Sequence, residues 1–83
     1  MPKTLRSPRQ QRLIELLIEQ RKKAGLSQAA LADALGRYQS VIAAMESGSR
    51  RIDVVEFLDI AEVVGFDIHE MIDALLATKT PAA

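Results

Sequence analysis

Eighty-three residues make one domain's worth of chain, 48% of it hydrophobic, and the absence of cysteine excludes disulfides and thiolate metal sites. The net charge of zero hides an asymmetry: ten basic against four acidic residues up to Ile52 give +6, and Lys79 against seven acids from Asp53 onward gives −6. The opening MPKTLRSPRQQR is basic and polar with no apolar stretch behind it, and no apolar run approaches the ~20 residues of a membrane span. Neither a secretory signal nor a membrane anchor is read, and a reducing cytoplasm is the expected location.

The chain opens on a basic arm, residues 1–7, followed by a helix predicted over 8–24. Ser7-Pro8-Arg9-Gln10 supplies a hydroxyl cap, proline at the first helical position and glutamine at the third, a capping-box pattern. Leu13 and Leu17 lie four apart on its apolar stripe. Ser27 caps a second helix over 28–35, with Leu31 and Leu35 at the same spacing. A third follows over 38–47, where Ile42 and Met45 are three apart.

Asp53-Val54-Val55-Glu56 and Asp67-Ile68-His69-Glu70 each place an acidic cap with glutamate three residues on. These predict helices over 54–64 and 68–77, with Ile52 and Phe66 positioned to staple against Phe57 and Met71. The fourth carries Phe57, Leu58, Ala61 and Val64 as its apolar face; the fifth carries Ile68, Met71, Ile72, Leu75 and Leu76. Gly25, Gly36, Gly48 and Gly65 each stand where a helix should stop, since glycine takes a left-handed conformation without steric cost. No segment alternates with period two, so the class is all-α, and residues 78–83 read as a tail.

The stretch LSQAALADALGRYQSVIAAMESG, Leu26 to Gly48, joins two short helices through a tight turn at Gly36. Ala32 is small where the two helices must cross closely. The ordered set Leu-Ser-Gln, Leu-Ala, Gly, Gln-Ser, a branched aliphatic and Glu-x-Gly resembles the phage-repressor/Cro-like (XRE) helix-turn-helix family. The resemblance covers about residues 9–76. It implies a compact five-helix, lambda-repressor-like DNA-binding domain, residues 8–77, with a central helix-turn-helix.

Residue roles follow from that resemblance. A structural ion pair is implied between Arg21 and Glu46; Arg21 also lies four residues after Leu17, on the core-facing stripe, where an unpaired charge is costly. The third helix would enter the major groove, setting Tyr38, Gln39, Ser40, Val41, Ala43 and Ala44 nearest the bases. Gln39 has the donor–acceptor fork that suits adenine, and Val41 can meet a thymine methyl. Ser27, Gln28, Arg37, Ser47, Arg50 and Arg51 are assigned to phosphates. Positions 43 and 44 depart from the family pattern, because related proteins often carry polar or basic residues there and alanine cannot hydrogen-bond a base.

Other chemistry finds no residues to carry it. His69 lacks a cysteine or second histidine with which to share a metal, every serine has a cap, turn or phosphate to explain it, and the glycines are isolated. Neither cofactor, metal nor catalysis is expected. Glu56, Asp59, Glu62 and Asp73 read as a solvated acidic face.

The residues together point to a repressor-like transcriptional regulator that binds double-stranded DNA as a homodimer, with Ile68, Ile72, Leu75 or Leu76 available either to supply the dimer contact or to close the core of a monomer. The alternative is a protein-interaction module, antiactivator- or antitoxin-like, that binds another regulatory protein with weak or lost DNA binding. A membrane or a small-molecule substrate is not an expected partner.

Overall fold

Residues 7–79 are described in a computed structural model, and they form five helices: α1 Pro8–Lys23, α2 Gln28–Leu35, α3 Gln39–Ser47, α4 Val54–Val64 and α5 Ile68–Ala77. Residues 1–6 of the expected arm and 80–83 of the expected tail lie outside the described residues. Ser7 caps α1 by accepting from the Gln10 amide at 3.0 Å. Thr78 follows α5, and its carbonyl accepts from Arg9 Nε at 3.0 Å, as does that of Leu75 at 2.9 Å. Arg9 thus adds a donor to the Leu75 carbonyl, which also accepts from the Thr78 amide at 3.1 Å, and satisfies that of Thr78 beyond the helix end. It also ties the two ends of the described chain together.

The caps match the sequence pattern to different degrees. Asp53 accepts from the Glu56 amide, and the Glu56 carboxylate returns a bond to the Asp53 amide, a complete capping box. Ser7 and Asp67 make only the forward half among the described residues; Asp67 accepts from both His69 and Glu70 amides. The third helix begins at Gln39, one residue later than expected. Gly36, at φ +68°, lets the Arg37 amide reach back to the Ala32 carbonyl at 2.9 Å, and Tyr38 is then extended (φ −75°, ψ 145°) to restart the chain. A side chain at Gly36 would be strained by this backbone even though open space surrounds it.

The core is built where α2 packs on α3 and α4 while α1 packs on α3 and α5. Leu16, Leu17, Leu31, Ala32, Ile42, Met45, Phe57, Ile60 and Met71 are buried together. Ile42 is the innermost, 1% exposed, so α3 is held by a side chain at the centre of the molecule. Ala32 is 2% exposed at the α2–α3 crossing. Phe57 and Phe66 stack tilted, ring centroids 5.7 Å apart, and close the α4–α5 corner.

On α4 the structure corrects the expected face. Ile60 joins Phe57, Ala61 and Val64 on the core stripe, at the three- and four-residue spacing of one helix face, and Leu58 is displaced from it and 40% exposed. On α5, Ile68 and Leu75 pack partly against the core, whereas Ile72 and Leu76 remain 40% and 58% exposed. No described helix is long and apolar enough to cross a membrane.

Candidate nucleic-acid interface

The α2–α3 pair presents one surface, and its polar groups are wired from the inside outward. Arg21, from the last turn of α1, forms a bidentate pair with Glu46 near the end of α3: Nε to Oε2 at 2.7 Å and Nη2 to Oε1 at 2.9 Å. A third donor, Nη1, reaches the Leu26 carbonyl at 2.8 Å. Both side chains are only 10% exposed. The hydrogen bond to Glu46 raises the Arg21 pKa against the opposing effect of burial, and the guanidinium stays charged.

Glu46 does more than neutralise Arg21. Its Oε1 also accepts from Gln28 Nε2 at 2.9 Å, and Gln28 Oε1 accepts from Gln39 Nε2 at 3.2 Å. The direction of this relay follows from chemistry alone. A carboxylate can only accept, so Gln28 must turn its amide nitrogen to Glu46 and its carbonyl to Gln39. Gln39 must then donate, and its carbonyl and second N–H, on an exposed side chain, have no partner among the described residues. An acceptor beside a donor is the complement of the N6–H and N7 edge of adenine.

Around Gln39 the face is open. Tyr38 is 83% exposed, Gln39 and Ser40 are exposed, and Val41, Ala43 and Ala44 are half-buried along α3. Tyr38 makes no side-chain cap bond, so the Gln39 and Ser40 amides have no capping side chain, while the Val41 amide donates to the Tyr38 carbonyl at 3.0 Å. Ser27 Oγ accepts from the Ala30 amide at 3.0 Å at the start of α2, which leaves its hydroxyl proton to donate. Ser47 is exposed, and its Oγ donates to the Ala44 carbonyl at 3.1 Å and lies 3.1 Å from Ser49 Oγ.

The flanking arginines hold the main surprise. Glu56, read from sequence as part of a solvated face, is 4% exposed, because it turns inward from the α4 cap to meet two cations. Arg50 grips it with Nη2 to Oε2 at 2.6 Å and Nη1 to Oε1 at 3.0 Å, and Arg37 Nη1 reaches the same Oε2 at 2.9 Å. The arginines themselves stay 37% and 39% exposed. Arg51 is exposed, and its side chain makes no hydrogen bond or ion pair among the described residues. The one sequence signal for this cluster was the Asp53–Glu56 capping pattern, which places the carboxylate but does not name its partners.

The Arg50 hydrogen bond, helped by the Asp53 amide and by the charges of Arg50 and Arg37, holds the Glu56 pKa below its ordinary 4.5 despite burial. A depressed folded-state pKa stabilises the fold fully above the unfolded value, and that contribution is lost as pH falls through the folded value. In thermal melts from neutral to acid pH, wild type should therefore exceed Glu56→Gln by a gap that is constant above about pH 4.5 and narrows below it. A gap that persists unchanged well below the folded-state value would place the stabilisation elsewhere than in this carboxylate.

Comparison with known proteins is consistent with this geometry. The family model described as a helix-turn-helix domain matches residues 5–75. No curated protein matches the chain. Among solved structures, an XRE-family like protein from Pseudomonas syringae pv. tomato str. DC3000 is 42% identical, with a TM-score of 0.78 over 83% of this chain and 84% of that one. The chain belongs to the helix-turn-helix domain family in its XRE-like form.

Proposed function

We propose that the protein is a cytoplasmic, sequence-specific DNA-binding transcriptional regulator of the repressor type, which inserts α3 into the major groove. The observation that carries this reading is the exposed Gln39 side chain, held by the relay through Gln28 and Glu46 with its carbonyl and one N–H unpartnered among the described residues. A base-reading amide gains from being held before it meets its base, because less rotamer freedom is lost on contact. Tyr38 and Ser40 flank it, Val41 offers an apolar contact to a thymine methyl, and Ala43 and Ala44 let the groove approach the helix closely.

Phosphate contacts fall to Arg37, Arg50 and Arg51, to the Ser27 hydroxyl and to the helix amides beside it. Gln28 serves mainly to hold Gln39. One reading head makes few contacts, so a homodimer on two half-sites about one helical turn (~34 Å) apart completes the proposal. The exposed Ile72 and Leu76 are its contact, with Ile68 and Leu75 behind them on the core side.

The test is Gln39→Ala. Loss of one bidentate base contact should lower the ratio of specific to random-DNA affinity by about 5–100-fold, the scale of ~1–3 kcal/mol, with random-DNA affinity and melting temperature nearly unchanged. An unaltered ratio in competition binding would remove Gln39 from the reading surface. The alternative, a module that binds another regulatory protein, is favoured by the two alanines in the middle of α3. It predicts little DNA affinity even at low salt, where phosphate contacts are strongest.

A further inference from the structure

We propose that Glu56 is the positioning residue of a two-arginine phosphate clamp, holding the guanidinium groups of Arg37 and Arg50 side by side beneath one backbone phosphate of bound DNA. This inference rests on the DNA-binding reading above and adds to it a residue that touches no nucleic acid.

The geometry joins one buried anion to two half-exposed cations. Arg37 lies just before α3 and Arg50 just after it, yet both donate to the same oxygen, Oε2 of Glu56. Two guanidinium groups on one carboxylate oxygen repel each other, and the carboxylate between them is what makes the approach tolerable. Glu56 offsets one of the two arginine charges, and the nearby Asp53 carboxylate also attracts Arg50. Its layering is also ordered: the carboxylate side chain is 4% exposed and the cations above it 37% and 39%. The anion is inside and the cations face out.

Donor count points the same way. Arg37 spends one of its five N–H groups on Glu56, and Arg50 spends two on Glu56 and one on the Arg51 carbonyl, so four donors on Arg37 and two on Arg50 remain for an outside acceptor. A phosphate diester has one charge and two free oxygens. It would accept from both arginines. Because Glu56 is itself anchored by the Asp53 amide at 3.1 Å, the clamp is registered to the first turn of α4.

Charge and positioning make opposite predictions, which gives the experiment its force. Glu56→Gln removes a negative charge next to the DNA face, so charge alone would tighten binding. The clamp instead requires loosening of about 10-fold at moderate salt, with a log–log salt slope shallower by about one contact (~0.9). In an Arg37→Ala/Arg50→Ala background, the same Glu56→Gln change should cause no loosening. Fluorescence anisotropy on a duplex of about 30 base pairs, over a salt series and below the melting transition of every variant, reads all of this.

Arg50→Lys leaves Glu56 and the α4 cap in place and keeps the charge. It should still weaken binding several-fold, because an ammonium cannot grip the carboxylate with two parallel bonds. Unchanged or tighter binding by Glu56→Gln in the wild-type background overturns the clamp, as does an equal loss in both backgrounds, which would mark Glu56 as a stability residue only. Wild-type affinity for Arg50→Lys overturns it as well. If the wild-type chain itself fails to bind DNA at low salt, the DNA-binding reading falls, and the clamp falls with it.

Discussion

Replacement of Glu46 by alanine is expected to destabilise the domain by about 3–5 kcal/mol, because it leaves the Arg21 guanidinium buried and unpaired. Both side chains of the pair are 10% exposed, so solvent offers the orphaned cation little. A domain of this size has a total stability of only about 5–15 kcal/mol. The melting temperature should therefore fall by on the order of 20 °C, given ~4–8 °C per kcal/mol for small domains. Circular dichroism melts of Glu46→Ala and Arg21→Ala check it, and a shift of only a few degrees would show the pair to be effectively solvated.

The apolar double replacement Arg21→Met/Glu46→Leu should be much milder than either truncation, since removing both charges also removes their desolvation cost. That double variant would still lose the relay to Gln28 and Gln39. Stability and base reading are thus separable at this pair: the fold needs the charges matched, whereas the orientation of Gln39 needs a carboxylate in particular.

Ile42→Ala is the second large effect, at about 2–5 kcal/mol. Ile42 is 1% exposed and lies on α3 against Leu17, Leu31 and Ile60, so truncation opens a cavity walled by three other helices. Those walls are themselves fixed by their caps and cannot easily collapse inward. Ile42→Val should cost about 0.5–1.5 kcal/mol, and a graded series of denaturant midpoints with constant slope would confirm a packing origin. Equal stability for Ile42→Ala would mean that α3 is seated by its neighbours and not by this side chain. In the proposed function the same anchor fixes how far α3 stands out from the domain.

These residues also mark what a sequence can disclose. Helix ends were legible because their signals are local: Ser27, Asp53 and Asp67 all accept from amides two or three residues onward, and Gly36 and Gly48 hold the positive φ that stops α2 and α3. Arg21 could be placed on the core stripe from its spacing to Leu17. Leu58 was misplaced because a helix rich in apolar residues offers two overlapping stripes, and only packing against α2 selects the one containing Ile60.

The Glu56 cluster was beyond that reach. Its carboxylate is recruited by Arg37, 19 residues earlier, and by Arg50, six residues earlier, and both pairings depend on how α2, α3 and α4 meet. A glutamate at the third position of a helix looks solvated until the tertiary fold brings cations to it. The Gln28–Gln39 bond was hidden for the same reason, since the turn at Gly36 decides which side chains of the two helices face each other.

The most direct test of the central claim is a selection from random duplex DNA, with bound fragments sequenced at low and moderate salt. The account predicts enrichment of an inverted repeat whose half-sites are centred about one helical turn (~10 base pairs) apart, with an adenine whose enrichment disappears in Gln39→Ala. Absence of DNA binding at either salt would contradict it.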